Sequence, residues 1–454
     1  MPTSRLRRTA TVGKLAAGQM ARQAGTRAAN LTRDEEKSRE AMARRQMESA
    51  EQIVTALGTM KGAAMKLGQV LSFLDVGLVP EEHREEFQKK LSALRDAAPN
   101  VAFKDMKKVI EKDLGQKVSE VFSEFDEEAI AAASIGQVYR ARLAEDDREV
   151  AVKVQYPGVS AAVRADMQNI GIIMRLIKRM TPGIDTQELG EEIRDRVAEE
   201  LDYELEATNQ RRLARIFRGH PFIEIPGVVS DLCRERVIVS DFVHGKGFEE
   251  VNENATTEER DRLGEIVFRF YFGCMYRHHQ FSGDPHPGNF IVKPDGKVAF
   301  LDFGLFKVID PKISEIELQT QRLYAEGRGE ELVKFWADVG FLKDGARMEP
   351  ERLLDFVDSS TWWYTRDETI TLTPEIASEI ILGLATPMGE HFARFRHENF
   401  PKEHLFGRRL EHMTLAVLGQ LGATANWTSI AREWVFGDEP VTELGRQEAA
   451  FYKK

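Results

Sequence analysis

The chain has 454 residues, 42% of them hydrophobic and 30% charged, with a formal net charge of -11 at pH 7. That length admits two or three domains or lobes, and the composition is that of a globular protein with a real core. The acid excess argues against nucleic acid as the main partner, because phosphate binding needs basic surface. No run of 18 or more apolar residues occurs, so no segment is expected to span a bilayer. The two cysteines, Cys233 and Cys274, are too few for a disulfide framework and read as buried free thiols of a reducing compartment.

The N-terminus carries Arg5, Arg7, Arg8, Lys14, Arg22, Arg27 and Arg33 with no acid before Asp34. It lacks the continuous apolar stretch of a secretory signal. A flexible basic tail, a segment lying on an anionic membrane surface, and an organelle transit peptide all fit it. With so few apolar residues, any membrane attraction would be mostly electrostatic and salt-sensitive. From Ser49 a helix is expected, since Ile53, Leu57, Met60, Ala64, Leu67, Leu71 and Leu74 recur every three or four residues, up to Val79-Pro80. Its other side carries Gly58, Gly62, Lys66, Gln69 and Phe73. Two glycines inside a helix cost about 1 kcal/mol each against alanine, which suggests close packing on both sides, with Lys66 and Gln69 aimed at another surface.

A second helix is expected from Asn100 to Asp113, with Gly115 as its stop. Strands follow at Val138–Leu143 and Val150–Val154, then helix from 160 to 215 broken at Thr181-Pro-Gly183. Val228-Val229 and Val237–Val239 read as short strands. Beyond Thr257 the chain reads as mostly helix, apart from a hairpin: Phe290–Val292, the turn Pro294-Asp-Gly296, and Val298–Leu301. The apolar aromatic runs Tyr271–Tyr276 and Trp362–Tyr364 fit core packing better than a lipid-contacting patch.

That hairpin is flanked by Asp284-Pro-His-Pro-Gly-Asn289 and Asp302-Phe-Gly304. Asp followed five residues later by Asn, then a hairpin, then Asp-Phe-Gly, is the order in which a protein kinase holds ATP and its metals. Lys153 lies in the apolar strand Val150-Ala-Val-Lys153, where an unpaired ammonium is expensive to bury. It either snorkels to solvent or meets phosphates. In Glu199-Glu-Leu-Asp-Tyr-Glu-Leu-Glu206, helical spacing puts Glu199, Asp202 and Glu206 on one face, with Val197, Leu201 and Leu205 on another. Glu206 is the first choice of counter-charge for Lys153, and a helical insertion from about Pro157 to Gly190 accounts for their separation. Before the strands stands Ala131-Ala132-Ala133-Ser134-Ile-Gly136-Gln-Val138. Gly136 and Val138 fit the end of a phosphate-covering glycine loop, whose first two glycines are replaced by Ala131 and Ala133. The methyl groups disfavour positive φ and close backbone approach, so a stiffer loop with altered nucleotide handling is expected. A metal-hydrolase reading of His278, His279, Asp284 and His286 is weak, because those spacings match no common zinc site and no water-activating glutamate lies nearby.

Lys66-Leu-Gly-Gln69, the alanine-rich loop, Glu200-Leu-Asp202 with Glu206 four residues on, Asp284…Asn289 and Asp302-Phe-Gly304 together resemble the UbiB/AarF family of atypical kinases, from about residue 50 to 310. The resemblance implies an α+β, bilobal protein-kinase-like fold with an N-terminal helical cap and a large helical C-lobe. The expected partition is a basic segment over 1–48, a helical extension over 49–128, an N-lobe over 129–243 and a C-lobe over 244–454. It implies ATP and Mg²⁺ as cofactors, with Lys153 and Glu206 forming the nucleotide ion pair and Asn289 and Asp302 holding the metal. Lys66 and Gln69 would lie against Glu200 and Asp202 over the active site. It also implies work near membranes in isoprenoid-quinone biosynthesis or lipid homeostasis, as an ATPase or small-molecule kinase, cytoplasmic or peripheral at the membrane, with quinone-biosynthesis enzymes or isoprenoid lipids as partners. Two departures from ordinary protein kinases point away from peptide substrates: Ser282-Gly283 stands where His-Arg precedes the catalytic Asp, and no Ala-Pro-Glu follows Gly304. Asp284 is the base by position, provided a substrate hydroxyl is within reach. The competing reading is a non-catalytic nucleotide-gated switch or a lipid or enzyme chaperone.

Overall fold

The computed structural model describes residues 101–167, 197–342, 348–385 and 402–453, with single positions 171, 174, 191 and 194 between them. The basic segment and the helix expected around Lys66 and Gln69 lie outside the described residues. The chain divides into two compact units, one running to Glu204 and including Val229–Val239, the other comprising Leu205–Val228 and Ser240 onward.

The first unit opens with α1 (Phe103–Leu114), which buries Met106, Val109, Ile110 and Leu114 along one stripe. Gly115, at φ 71°, returns its N–H to the Glu111 carbonyl and stops the helix, as its position in the sequence suggests. A single turn, α2 (Val118–Val121), leads into a sheet of β1 (Phe122–Phe125), β2 (Ala131–Ala133), β3 (Gly136–Leu143) and β4 (Glu149–Gln155). The order is β1-β3-β4-β6, with β2 added on β3; β6 is Val237–Asp241, while β5 (Ile223–Glu224) pairs in the second unit. Alternation decides which faces are buried. Tyr139, Ala141 and Leu143 of β3 and Val150, Val152 and Val154 of β4 point inward. The opposite face carries Val138, Arg140 and Arg142 against Lys153, Ala151 and Glu149, each directly across the ladder. Glu149 there pairs with both Arg140 and Arg142.

The single helix expected through Glu199–Glu206 is interrupted. Residues 197–200 are helical, Leu201 and Asp202 are not, and α4 begins at Tyr203 (Tyr203–Ile216), α3 being Val159–Met167. The ladder tightens to three-residue bonds from Leu201 to Ala198 and from Asp202 to Glu199. Tyr203 then donates its N–H to the Glu235 carbonyl, 3.1 Å away. The Leu201 carbonyl accepts from buried Gln155 Nε2 at 2.8 Å. Two backbone groups that would continue the helix are thus taken by other elements. The result overturns the common face expected of Glu199, Asp202 and Glu206: Val197 and Leu201 are buried, but Leu205 is exposed.

In the second unit α5 (Phe248–Asn254) precedes α6 (Thr257–Tyr276), whose start is a capping box of Thr256 and Glu259. From Ile266 to Tyr276 every side of α6 is covered, which marks a central core helix. Phe268 packs edge-on against Trp363 and Trp427. The aromatic runs therefore belong to the interior, although Trp362 is only partly buried. Among the described residues, seven further helices follow the hairpin region: α7 (Pro311–Ala325), α8 (Gly329–Asp338), α9 (Pro350–Thr361), α10 (Pro374–Ala385), α11 (Lys402–Leu421), α12 (Trp427–Val435) and α13 (Glu443–Tyr452). A separate apolar cluster around Leu332, Trp336, Phe341 and Leu353 joins α8 to α9. Cys233 and Cys274 are buried free thiols, as expected.

Of the small sheets, the hairpin β8 (Phe290–Val292) and β9 (Val298–Phe300) forms where the sequence places it, with Gly296 at φ 80° in the turn. β5 adds to β9 in parallel. The pair β7 (Gln280–Ser282) and β10 (Phe306–Val308) is absent from the sequence reading, as is the pair β11 (Ile370–Thr371) and β12 (Thr424–Ala425). Val228-Val229 is not a strand: Val228 makes one bridge to Ser240, and a 3₁₀ turn at Ser230–Leu232 diverts the chain. Among the described residues, no helix is long and apolar enough to cross a membrane.

Candidate functional site

In the first unit the alanine-rich stretch is a strand rather than an open loop. Ala131, Ala132 and Ala133 pair with Val138, Gln137 and Gly136, leaving only Ser134 and Ile135 as the turn. Among the described residues the only non-glycine positions with positive φ are Asp147 and His279, so the alanines need none of the freedom that glycine gives. Gly136 is required for a different reason. A Cβ there would stand 2.2 Å from the Val154 carbonyl oxygen and 3.0 Å from the Tyr203 hydroxyl. On this sheet Ala131, Val138 and Lys153 occupy one cross-strand rung, Ala131 opposite Val138 and Val138 opposite Lys153. The hairpin and the lysine thus share one face. The Lys153 ammonium lies 5.1 Å from the centre of the buried Tyr203 ring. Ser134, at the turn, donates to Glu200 Oε1 at 2.5 Å.

The second unit assembles the acidic half. β7 and β10 run antiparallel with Ser282 opposite Phe306, and the pairing continues as the Gly283 N–H bonds the Leu305 carbonyl at 2.6 Å. Ser282 Oγ also donates to the Asp302 carbonyl. This ladder fixes Asp284 and Asp302 at the same end of two neighbouring strands. From Asp284 the chain turns through Pro287–Asn289, where the His286 ring accepts from the Gly288 N–H. The Asn289 side chain donates to the Asp284 carbonyl at 3.0 Å. The Asn289 carbonyl accepts from the Leu301 N–H, which locks the segment to the return strand of the hairpin. Asp302 Oδ1 accepts the Gly304 N–H at 2.9 Å, and Phe303 between them is fully buried. Asn209 of α4 donates to the Phe303 carbonyl. Glu206, one turn earlier on α4, is buried, and its carboxylate also stands near Gly304. A Cβ at Gly304 would be 3.5 Å from both Asp302 Oδ1 and Glu206 Oε2.

Beneath lies the buried Tyr271, whose phenol is pushed well above its ordinary pKa by burial first and then by the negative charges of Asp284 and Asp302. Tyr271 was read from sequence only as core. Its neighbours along α6 are equally aromatic, so nothing in the pattern singles it out.

The sequence-predicted residues thus fall in two groups. Ala131–Ser134, Gly136, Val138, Lys153, Glu200 and Asp202 belong to the first unit. Glu206, Asp284, Asn289 and Asp302 belong to the second, and there Asp284 and Asn289 touch while Asp302 and Glu206 both stand near Gly304. Lys66 and Gln69 lie outside the described residues, so their expected apposition to Glu200 and Asp202 is not described. His278 contacts Tyr452, His279 contacts Ser314 and His286 serves its own turn. Among the described residues no group of three or more His, Cys, Asp or Glu could hold a metal. The oxygen donors of Asp302 and Asn289 nonetheless suit Mg²⁺, which takes one or two protein ligands and completes its shell with water and phosphate. With the Asn289 amide nitrogen donating to Asp284, its Oδ1 is the atom offered to a cation.

A strand-borne lysine on the face of a turn-closed hairpin, and an Asp…Asn, Asp-Phe-Gly pair held by short strands, define a protein-kinase-like protein. The ABC1 atypical kinase-like domain matches residues 93–322, and the chain belongs to that family, the UbiB/AarF group of atypical kinases. It is 33% identical over 270 residues to AarF domain-containing protein kinase 1 of Xenopus tropicalis, covering 58% of this chain and 50% of that protein. It is 30% identical over 297 residues to the mitochondrial atypical kinase COQ8 of Schizosaccharomyces pombe, covering 65% of this chain and 48% of that one. The chain spans about half the length of the curated relatives it matches. The solved structure of the Rv3197–erythromycin complex from Mycobacterium tuberculosis is similar at 30% identity and a TM-score of 0.63, covering 87% of this chain and 98% of that one.

Proposed function

We propose that the chain binds Mg-ATP and either hydrolyses it or transfers its terminal phosphoryl group to a small lipid-like acceptor, in support of isoprenoid-quinone biosynthesis or lipid homeostasis. The observation that carries this reading is the arrangement at Gly304: the Asp302 and Glu206 carboxylates both stand close to it, and the β7–β10 ladder sets Asp284 and Asn289 alongside. In this reading Asp302 and Asn289 hold Mg²⁺, which when bound neutralises phosphate charge. Lys153 is the fixed cation that grips the phosphates, Glu206 is its counter-charge, and the Ala131–Ser134 hairpin with Gly136 and Val138 covers them. Asp284 orients the attacking hydroxyl or water and accepts its proton. The sequence between Gly304 and α7 holds β10 and then Asp310, which caps the helix through the Lys312 N–H; this short passage offers little platform for a peptide. Lys66 and Gln69 regulate access through Glu200 and Asp202. The basic residues from Arg5 to Arg33 would favour an anionic membrane surface electrostatically.

Phosphate release from Mg-ATP, with and without anionic liposomes carrying a phenolic quinone precursor, tests this. Release that rises with lipid and falls by at least about 100-fold in Asp302→Asn is expected, a loss at or beyond that typical of substitutions in a metal's outer sphere. Equal release by the variant would sink the kinase-like site. Intact Mg-nucleotide binding with no release would favour a nucleotide-gated switch or chaperone instead.

A further inference from the structure

We infer that Tyr203 is a positioning residue for Lys153: its buried ring is the platform that holds the ammonium over the sheet face shared with the alanine hairpin. The inference rests on the nucleotide reading above and assigns a residue that this reading does not use.

Four observations carry it. Tyr203 is wholly buried, so its ring has no freedom to leave. The Lys153 ammonium is 5.1 Å from the ring centre, inside the range at which an aromatic face attracts a cation. The residue is fixed at its backbone and closely packed at its far end. Its hydroxyl sits so close to the Gly136 backbone that a Cβ there would come within 3.0 Å, and its backbone N–H is bonded to the Glu235 carbonyl. The helix break at Leu201-Asp202 is what places the ring there, because Gln155, two residues beyond Lys153 on β4, captures the Leu201 carbonyl. A lysine has four rotatable bonds, and fixing its head in a cleft carries an entropic penalty. A rigid apolar face that also attracts the charge reduces that penalty before any phosphate arrives. Gly136 and Lys153 thereby meet the same aromatic side chain, so the end of the phosphate-covering hairpin and the phosphate-gripping cation are set by one residue.

The test compares Tyr203→Phe, which keeps the ring, with Tyr203→Leu, which keeps only bulk, in the full chain. The readouts are Kd for Mg-ATP, Kd for adenosine and the melting temperature. The expected result is a weakening of Mg-ATP binding in Tyr203→Leu by about fivefold or more, the scale of a partly desolvated cation–aromatic contact. Adenosine affinity should hold, and Tyr203→Phe should stay near the parent protein. In a Lys153→Met background, Tyr203→Leu should bring no further loss. Equal Mg-ATP affinity of the Leu and Phe variants, or parallel loss for ATP and adenosine, overturns the inference while leaving the nucleotide reading standing. Failure of the unsubstituted chain to bind Mg-ATP overturns both. Should Tyr203→Leu fail to fold, Tyr203→Trp decides: a platform role predicts retained ATP affinity in any variant with a larger aromatic face, and loss specific to ATP contradicts it.

Discussion

Gly136 occupies a position no other residue can share. It needs neither a left-handed φ nor a turn; it needs the absence of a side chain, because the Val154 carbonyl is 2.2 Å from where Cβ would be. Gly136→Ala is therefore expected to push β3 off β4 and lower stability by about 1–3 kcal/mol, the range for overpacking a close-packed interior. Mg-ATP affinity should fall alongside, because the same strand carries Val138 opposite Lys153. Chemical denaturation and nucleotide titration of this one variant measure both. An unchanged midpoint with unchanged affinity would mean that the strand relaxes freely. By contrast, Gly115 has nothing within 4 Å of its would-be Cβ and is chosen for its φ of 71°. The two glycines look alike in the sequence and serve opposite needs.

At the scale of elements, the alanine hairpin is the feature that most changes the expectation of a flexible glycine loop. Ala131–Ala133 pair residue for residue with β3, so the cover is a strand with a two-residue turn tied to Glu200 through Ser134. Ala131→Gly is expected to loosen it: glycine within a strand or helix costs about 0.5–1 kcal/mol through backbone entropy, and Mg-nucleotide affinity should shift with it. Superimposable binding isotherms for variant and parent would show that stiffness of β2 plays no part. How much was legible follows from what each element depends on. The β8–β9 hairpin, α1 and the β3–β4 pair were readable, because alternation or helical period repeats over enough residues and glycine marks the turns. β7 and β10 were not, since three residues show no period and their pairing is fixed by Gly283 and Leu305, which are distant in sequence. The break at Leu201-Asp202 was invisible for a related reason: the local sequence is a good helix, and the bonds that stop it come from Gln155 and Glu235. The candidate site residues follow from residue types and spacings, while the proposed role of Tyr203 required knowing that break.

Over the whole molecule, the second unit hides charge in its interior. Arg269, fully buried on α6, is bonded to Glu265, Glu433 and Glu448, which ties α12 and α13 to the central helix. Beside this cluster, burial and the neighbouring Arg277 hold the His278 imidazole down at about 4, below the usual value near 6.5. His412 is likewise lowered to about 4 by burial and then by Arg408. Both rings are thus neutral in the fold. In the unfolded chain they take up protons as the pH drops below about 6.5, whereas the folded chain resists until about 4. The unfolded state then binds more protons, so stability is full above pH 6.5 and declines steadily between 6.5 and 4. The melting temperature measured across that window should fall, and His278→Gln should flatten part of the slope. A melting temperature that holds level from pH 7 to 5 would contradict the buried neutral rings.

In the proposed function Asp302 and Asn289 are the oxygen ligands for Mg²⁺ beside a nucleotide. Calorimetric titration of ATP into the protein, with and without Mg²⁺, for the parent chain and for Asp302→Asn, tests that most directly. The account predicts binding that strengthens with Mg²⁺ in the parent and loses its Mg²⁺ dependence in the variant. Identical Mg²⁺ dependence in the two proteins, or no ATP binding by the parent under either condition, would contradict it.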